Sequence, residues 1–232
     1  MYLTNKISVG SSVERKLDFK DVLMLPKKSS LSSRKDVDLN RKFTFKHSKQ
    51  TWNGIPLMSA NMDSVTDLRT FGLLKYAGWL SCFPKHLNKT FLKDFRESYK
   101  TLVHTDSYAL SMGINDKDVH QVDYLIKRLQ DSLIEPKFVC IDVANGYMEK
   151  MLDVCAKFRV KHPNIVLIAG NVVTPEGVEN LASNGVDIVK IGIGGGGVCT
   201  TRIKTGIGYP QFSAIVDCVE TANELGVHII SD

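Results

Sequence analysis

Short apolar runs alternate with longer amphipathic segments from residue 55 onward. The runs cover residues 55–58, 80–83, 108–112, 138–141, 166–169, 188–191 and 227–230. They lack polar alternation, which is the pattern of parallel strands buried on both faces. Helix-period segments lie between them, at 65–77, 89–101, 116–131, 148–160, 175–184 and 211–225. Asp63 and Asp67 stand where the first of these helices begins. Thr174 precedes Pro175 and Glu176, an N-cap followed by proline at the first helical position. Asn184-Gly185 and Leu225-Gly226 supply stops before the next strand.

Seven strands alternating with six helices predict an α/β fold with a parallel sheet. A (β/α)₈ TIM barrel is favoured over a doubly wound sheet, because no Gly-x-Gly-x-x-Gly follows the first strand. A barrel of this kind needs eight strands, and the seventh run ends at Ser231-Asp232. The expectation is therefore a barrel truncated before its eighth strand, as a piece of a longer polypeptide. Residues 1–50 break the rhythm. They are polar, basic and serine-rich, with short apolar pieces at 22–25 and 43–45, and predict an N-terminal arm with a strand or two. Residues 51–232 then form the barrel, incomplete at its C-terminus.

Composition narrows the function classes. Apolar residues make up 43% and charged residues 24% of the 232, which excludes a disordered chain, a collagen and a coiled coil. No apolar stretch is long enough to span a bilayer, and the first residues lack the apolar core of a signal peptide. A net charge of +5 suits an anionic ligand but is too diffuse to argue for nucleic acid. Five cysteines, an odd number without metal-ligand spacing, argue against a disulfide framework and for a reducing, cytoplasmic setting. Cys82, Cys140, Cys155 and Cys218 fall on strand or helix patterns and read as core.

Barrel chemistry sits on the loops after the C-terminal strand ends. The loop after the sixth strand is the most informative: Gly192-Ile193-Gly194-Gly195-Gly196-Gly197-Val198-Cys199-Thr200-Thr201-Arg202. Its glycines allow close approach to a ligand and positive φ, and its carbonyls can ring a monovalent cation. Cys199, near Arg202 and Lys204, is a candidate nucleophile, with an inert thiol on a flexible linker as the competing reading. Asp142 ends an apolar strand, so it either meets a ligand or cation or caps the next helix near Gly146, and the residues alone favour the cap. Lys85 and His86 read equally as phosphate or cofactor contacts and as solvated loop side chains. Asn61 and Asn171 read as ligand contacts or as holders of their own turns.

Several of these stretches together resemble one family. They are Asn61-Met62-Asp63, Asp142-Val143-Ala144-Asn145-Gly146, Ala169-Gly170-Asn171-Val172, the cysteine loop through Thr205-Gly206-Ile207-Gly208-Tyr209-Pro210-Gln211, and Leu17-Asp18-Phe19-Lys20-Asp21-Val22-Leu23 near the start. The chain resembles the IMP dehydrogenase/GMP reductase family over nearly its whole length. Within it the pattern is of the reductase kind, since no nucleotide-sensing insert interrupts the barrel between Lys85 and Tyr108.

The resemblance implies a (β/α)₈ barrel, a homotetramer, and NADPH-dependent reductive deamination of GMP to IMP and ammonia. It implies that Cys199 attacks purine C2 and that Thr201, with a glutamate on a later flap, handles ammonia and its protons. Gly194, Gly196 and Cys199 match carbonyl ligands for a potassium-type ion. Asp142, Val143, Ala144, Ile193 and Gly194 match cofactor-contacting positions, as do Lys85 and the pair Ser33-Arg34. Asp232 matches the first residue of a phosphate motif that grips GMP. Two departures loosen the loop: Gly195 stands where the family has proline, and Gly197 where it has serine. The chain by itself is expected to turn over little. Two other readings remain open at this stage: oxidation of IMP by NAD and water through the same cysteine, and a non-catalytic barrel that binds a nucleotide or a full-length subunit.

Overall fold

The computed structural model describes residues 14–87, 89–99, 106–132, 134, 136–197 and 199–232. Two 3-10 turns, Phe19–Asp21 and Arg34–Asp36, lead into an antiparallel hairpin of β1 (Arg41–Thr44) and β2 (Thr51–Gly54). The barrel follows: β3 (Met58–Ser59), α1 (Leu68–Tyr76), β4 (Leu80–Phe83), α2 (Lys89–Tyr99), β5 (Tyr108–Met112), α3 (Asp116–Gln130), β6 (Phe138–Asp142), α4 (Glu149–Lys161) and β7 (Val166–Val172). It continues through α5 (Pro175–Ser183), β8 (Ile188–Ile191), a short α6 (Thr201–Thr205), α7 (Gln211–Leu225) and β9 (His228–Ser231).

Strands β3 to β9 form one parallel sheet in strict chain order. Chain order without a reversal is the singly wound topology of a barrel, not that of a doubly wound sheet. The sheet curls into a half-barrel of seven strands, with β3 and β9 as its edges.

Side chains alternate across this sheet with period two. One set, including Phe83, Leu110, Ile141, Leu167 and Val189, packs against the helices. The other set faces the barrel interior and clusters Leu80, Cys82, Ala109, Phe138, Cys140, Ile168 and Ile188. Phe45 and Trp52 of the hairpin region join that interior cluster. The hairpin thus plugs the N-terminal end of the barrel, beside an apolar cavity of about 330 Å³. The chemistry is left to the opposite end.

Asp187, fully buried, anchors the plug. Its Oδ1 accepts the N–H groups of His47 at 2.7 Å and Ser48 at 3.2 Å. Its Oδ2 accepts Leu167 N at 3.1 Å and the Arg159 guanidinium at 2.7 Å. Arg159 also donates to the carbonyls of Gly185, His162, Pro163 and Ile165. A buried carboxylate is tolerated here because every neighbour is a donor.

Two predicted boundaries move, for local reasons. The first strand pairs only over Met58–Ser59 instead of 55–58, since Pro56 offers no N–H and Ile55 N turns to Gly78 O at 3.0 Å. The first helix starts at Leu68, not at residue 65, because Asp67 caps it by accepting Thr70 N at 2.7 Å; Asp63 lies in the turn before it. The predicted helix at 89–101 is observed as Lys89–Tyr99, and residues 100 and 101 lie outside the described residues. Among the described residues no helix is long and apolar enough to cross a membrane.

Candidate active site

The site gathers at the C-terminal ends of β6 to β9 and in the loop after β8. Gly192 and Gly194 take φ of +148° and +73°, a backbone region that side chains rarely enter. At Gly194 and again at Gly208 the Arg202 side chain lies where a Cβ would stand, 2.7 and 2.6 Å from Arg202 Cγ. Arg202 donates to Tyr209 O at 2.8 Å and faces Asp18 at 3.6 Å. Asp18 also accepts Gln211 N at 2.6 Å, and Tyr209 N donates to Ile193 O at 3.1 Å. The loop is therefore folded back on itself and tied to the arm.

Cys199 lies on this loop, half-buried, with its N–H donating to Gly196 O at 3.0 Å. The other four cysteines are buried, as the sequence predicts, and all five thiols are free. Cys199 Sγ is 3.3 Å from Thr201 Oγ1. Once the thiol ionises, that hydroxyl becomes a donor to sulfur. The Thr201 side chain and backbone, followed by the Arg202 charge, hold the Cys199 pKa below that of an ordinary thiol. Burial raises the thiol pKa of Cys155 to about 12 and of Cys218 to about 11. The five sulfurs thus divide into one activated thiol and four core positions.

A second cluster lies just inside the barrel mouth. Asp142 on β6, Gly170 on β7 and Lys190 on β8 are in register across neighbouring strands. Lys190 Nζ donates to Asp142 Oδ2 at 3.0 Å and lies 3.2 Å from Asp232 Oδ2. Asn171 Nδ2 donates to Asp232 Oδ2 at 2.6 Å and to Gly192 O at 2.7 Å. This corrects the capping expectation for Asp142. The residue before α4 is Met148, and the carboxylate turns inward to an ammonium instead. The barrel interior offers the fixed cation that a helix cap lacks.

Lys190 and Asp18 are the residues that sequence reasoning passed over. Lys190 was hidden in an apolar run, although a charge inside a strand buried on both faces already demands a partner. The role of Asp18 depends on a contact with residues nearly two hundred positions away, for which no local signal exists.

The remaining predicted positions are placed as follows. Val143 is half-buried at the end of β6, donating its N–H to Gly170 O and accepting Asn171 N. Ala144 and Gly196 are exposed, and Ile193 is buried. Lys85 lies after β4 with Asp118 3.9 Å away. Ser33 and Arg34 lie on the exposed second 3-10 turn, where Ser33 Oγ accepts Lys35 N within the turn itself. That turn is not drawn to the strand ends by the hydrogen bonds that shape it.

Three buried polar atoms around the loop lack hydrogen-bond partners among the described residues: Asn171 Oδ1, Gln211 Oε1 and Arg202 Nε. Buried polar groups are normally satisfied, so these three atoms mark unmet donor and acceptor capacity beside the folded loop. The neutral carbonyls of Gly194, Gly196 and Cys199 are the donor type a monovalent cation takes. Among the described residues no group of three or more His, Cys, Asp or Glu side chains is placed to hold a metal ion.

Fold and site together define a parallel α/β barrel with an activated thiol on a glycine-rich loop and charged groups at the strand ends. The chain belongs to the IMP dehydrogenase / GMP reductase family, whose domain model matches residues 16–232. It is 46% identical over 217 residues to a protein of Shewanella pealeana named GMP reductase. It is 45% identical over 218 residues to GMP reductase 1 of Mus musculus, and 43% identical over 217 residues to GMP reductase 1 of Homo sapiens. Each match covers 94% of this chain and 61% of the relative, so the chain spans less than two thirds of their length.

Proposed function

We propose that the protein is an NADPH-dependent reductase that converts GMP to IMP and ammonia through a covalent cysteine–purine intermediate. The observation that carries this reading is Cys199: a free, accessible thiol with a lowered pKa, 3.3 Å from a threonine hydroxyl on a folded glycine loop. The likeness to proteins named GMP reductase supports the choice of substrate.

In this reading the Cys199 thiolate adds to purine C2, and the C2 amino group leaves as ammonia after protonation. The Thr201 hydroxyl, 3.3 Å from the sulfur, stabilises it before attack and would relay a proton to the departing nitrogen. The C2–S bond then holds the base as a thioimidate, dividing one difficult substitution into two easier steps. NADPH, when bound, supplies the hydride that C2 accepts. Collapse of the adduct breaks the C2–S bond, returns the electron pair to sulfur and frees IMP. Asp142, Val143, Ala144, Ile193 and Gly194 would contact the cofactor, as would Lys85, Ser33 and Arg34. Asp232 would meet the nucleotide. A potassium-type ion on the carbonyls of Gly194, Gly196 and Cys199 would stiffen the loop. A cytoplasmic homotetramer completes the reading.

The test is to incubate the protein with GMP and NADPH and follow both ammonia and NADPH. Ammonia release matched to NADPH oxidation, slow in this chain and abolished by Cys199→Ala, is expected, with a nucleotide adduct on Cys199 by intact mass. Oxidation of IMP by NAD without ammonia release would overturn the reading in favour of the dehydrogenase reaction. Equal turnover by Cys199→Ala would overturn the role of the thiol.

A further inference from the structure

Lys190 is 3% exposed, yet it carries a charge in the middle of a strand. Its stem can cross the sheet because the residue beside it on β7 is Gly170. A Cβ on Gly170 would stand 2.6 Å from both Lys190 Cβ and Lys190 O. Through that gap the ammonium reaches Asp142 of β6 on one side and Asp232, just past β9, on the other. Two carboxylates from strands three apart would repel without it. Asn171 fixes the Asp232 carboxylate from a second direction.

We infer that Lys190 is a positioning residue that locks Asp142 and Asp232 into one arrangement and so couples the cofactor side of the site to the nucleotide side. What the two carboxylates meet rests on the proposed function; the clamp itself rests on geometry alone. The titratable groups facing Lys190 are Asp142 and Cys140 of β6, Asp232, and Cys82 of β4 beyond Cys140. Burial works against the ammonium, and Cys140, Asp142 and Asp232 outweigh it, so Lys190 stays charged. The hydrogen bond to Cys140, together with burial, pushes the Cys82 thiol up. Among the described residues, only these carboxylates lie within ion-pair distance of the ammonium.

Lys190→Met and Lys190→Arg test this on the whole chain in two ways. Without ligand, melting temperatures are compared with and without the paired changes Asp142→Asn and Asp232→Asn. Lys190→Met is expected to lower the melting temperature, by less once both carboxylates are replaced, and Lys190→Arg is expected to lower it less than Lys190→Met. A Lys190→Met deficit that the two asparagine changes leave unaltered overturns the clamp. With ligand, the dissociation constants for GMP and NADPH are both expected to rise roughly 10- to 100-fold in Lys190→Met and to recover in Lys190→Arg, as follows from displacing two binding groups together. Wild-type affinity for both ligands in Lys190→Met overturns the positioning role. If the wild-type chain itself binds neither ligand, the functional reading falls, and the melting comparison alone upholds or overturns the clamp.

Discussion

Asp18 accepts the backbone N–H of Gln211 at 2.6 Å, although 193 residues separate the two. Its other oxygen faces Arg202, whose side chain fills the space beside Gly194 and Gly208. One carboxylate in the arm thus fastens both ends of the segment between the glycine loop and α7. Asp18→Ala removes a charge-assisted hydrogen bond and the anion facing Arg202. The expected loss is about 1–3 kcal/mol in chemical denaturation. Alkylation of Cys199 should accelerate as the loop opens. An unchanged denaturation midpoint would mean that Asp18 does not hold the loop.

The reactivity of Cys199 should have its own pH dependence. Its pKa is depressed by Thr201 and, less strongly, by Arg202, so the thiolate fraction rises at lower pH than for a free cysteine. The rate of iodoacetamide labelling against pH should therefore show a midpoint below the ordinary thiol value. Thr201→Val removes the hydroxyl while keeping the shape, and the midpoint should move up toward that value. Peptide mass mapping assigns the label, and the four buried cysteines should label only after unfolding. A midpoint that Thr201→Val leaves in place would remove Thr201 as the cause.

The sequence legible in advance was the part written locally. Five of the seven strand runs lie within two residues of their observed positions at either end; the exceptions are β3, which begins only at Met58, and β7, which continues to Val172 across a register irregularity near Gly170. Thr174 with Pro175, and Leu225 with Gly226, act at α5 and α7 as their chemistry dictates. Cys199 was legible because a thiol beside glycines and cations contrasts with four thiols in apolar patterns. The Asp142 partner was not, because the choice between a cap and an ion pair depends on what the barrel brings to it from β8. The helix Thr201–Thr205 was missed as well: five residues carry no readable periodicity, and Gly206 ends it at φ +72°. Local pattern specified the elements, while the polar contacts at the barrel mouth required the curl of the sheet.

Asp187 and Arg159 give a stability prediction remote from the chemistry. Both are largely buried, and the carboxylate is shared by four donors from three parts of the chain. Asp187→Ala leaves Arg159 without its counter-ion, and Arg159→Met leaves the carboxylate without its cation. Each is expected to cost about 3–5 kcal/mol. The double variant should cost less than the sum of the two, since the second change removes the orphan that the first creates. Additive losses in urea denaturation would show that the two residues act independently.

Two glycine-to-alanine changes should have opposite signs. Gly72 lies inside α1, and a Cβ there would meet nothing within 4 Å. Gly72→Ala gains helix propensity without a clash and should stabilise by roughly 0.5–1 kcal/mol. Gly170 lies in β7, where the same methyl would press on the Lys190 Cβ and carbonyl oxygen at 2.6 Å. There the neighbour is a strand backbone held by the sheet, so it cannot step aside as a flexible side-chain tip would. Gly170→Ala should destabilise by about 1–3 kcal/mol, the usual cost of forcing volume into a packed interior. Thermal melts of the two variants, side by side, check both signs at once. A neutral Gly170→Ala would mean that β7 and β8 can part locally, and the close approach of strand to strand at the barrel mouth would then be no constraint on Lys190.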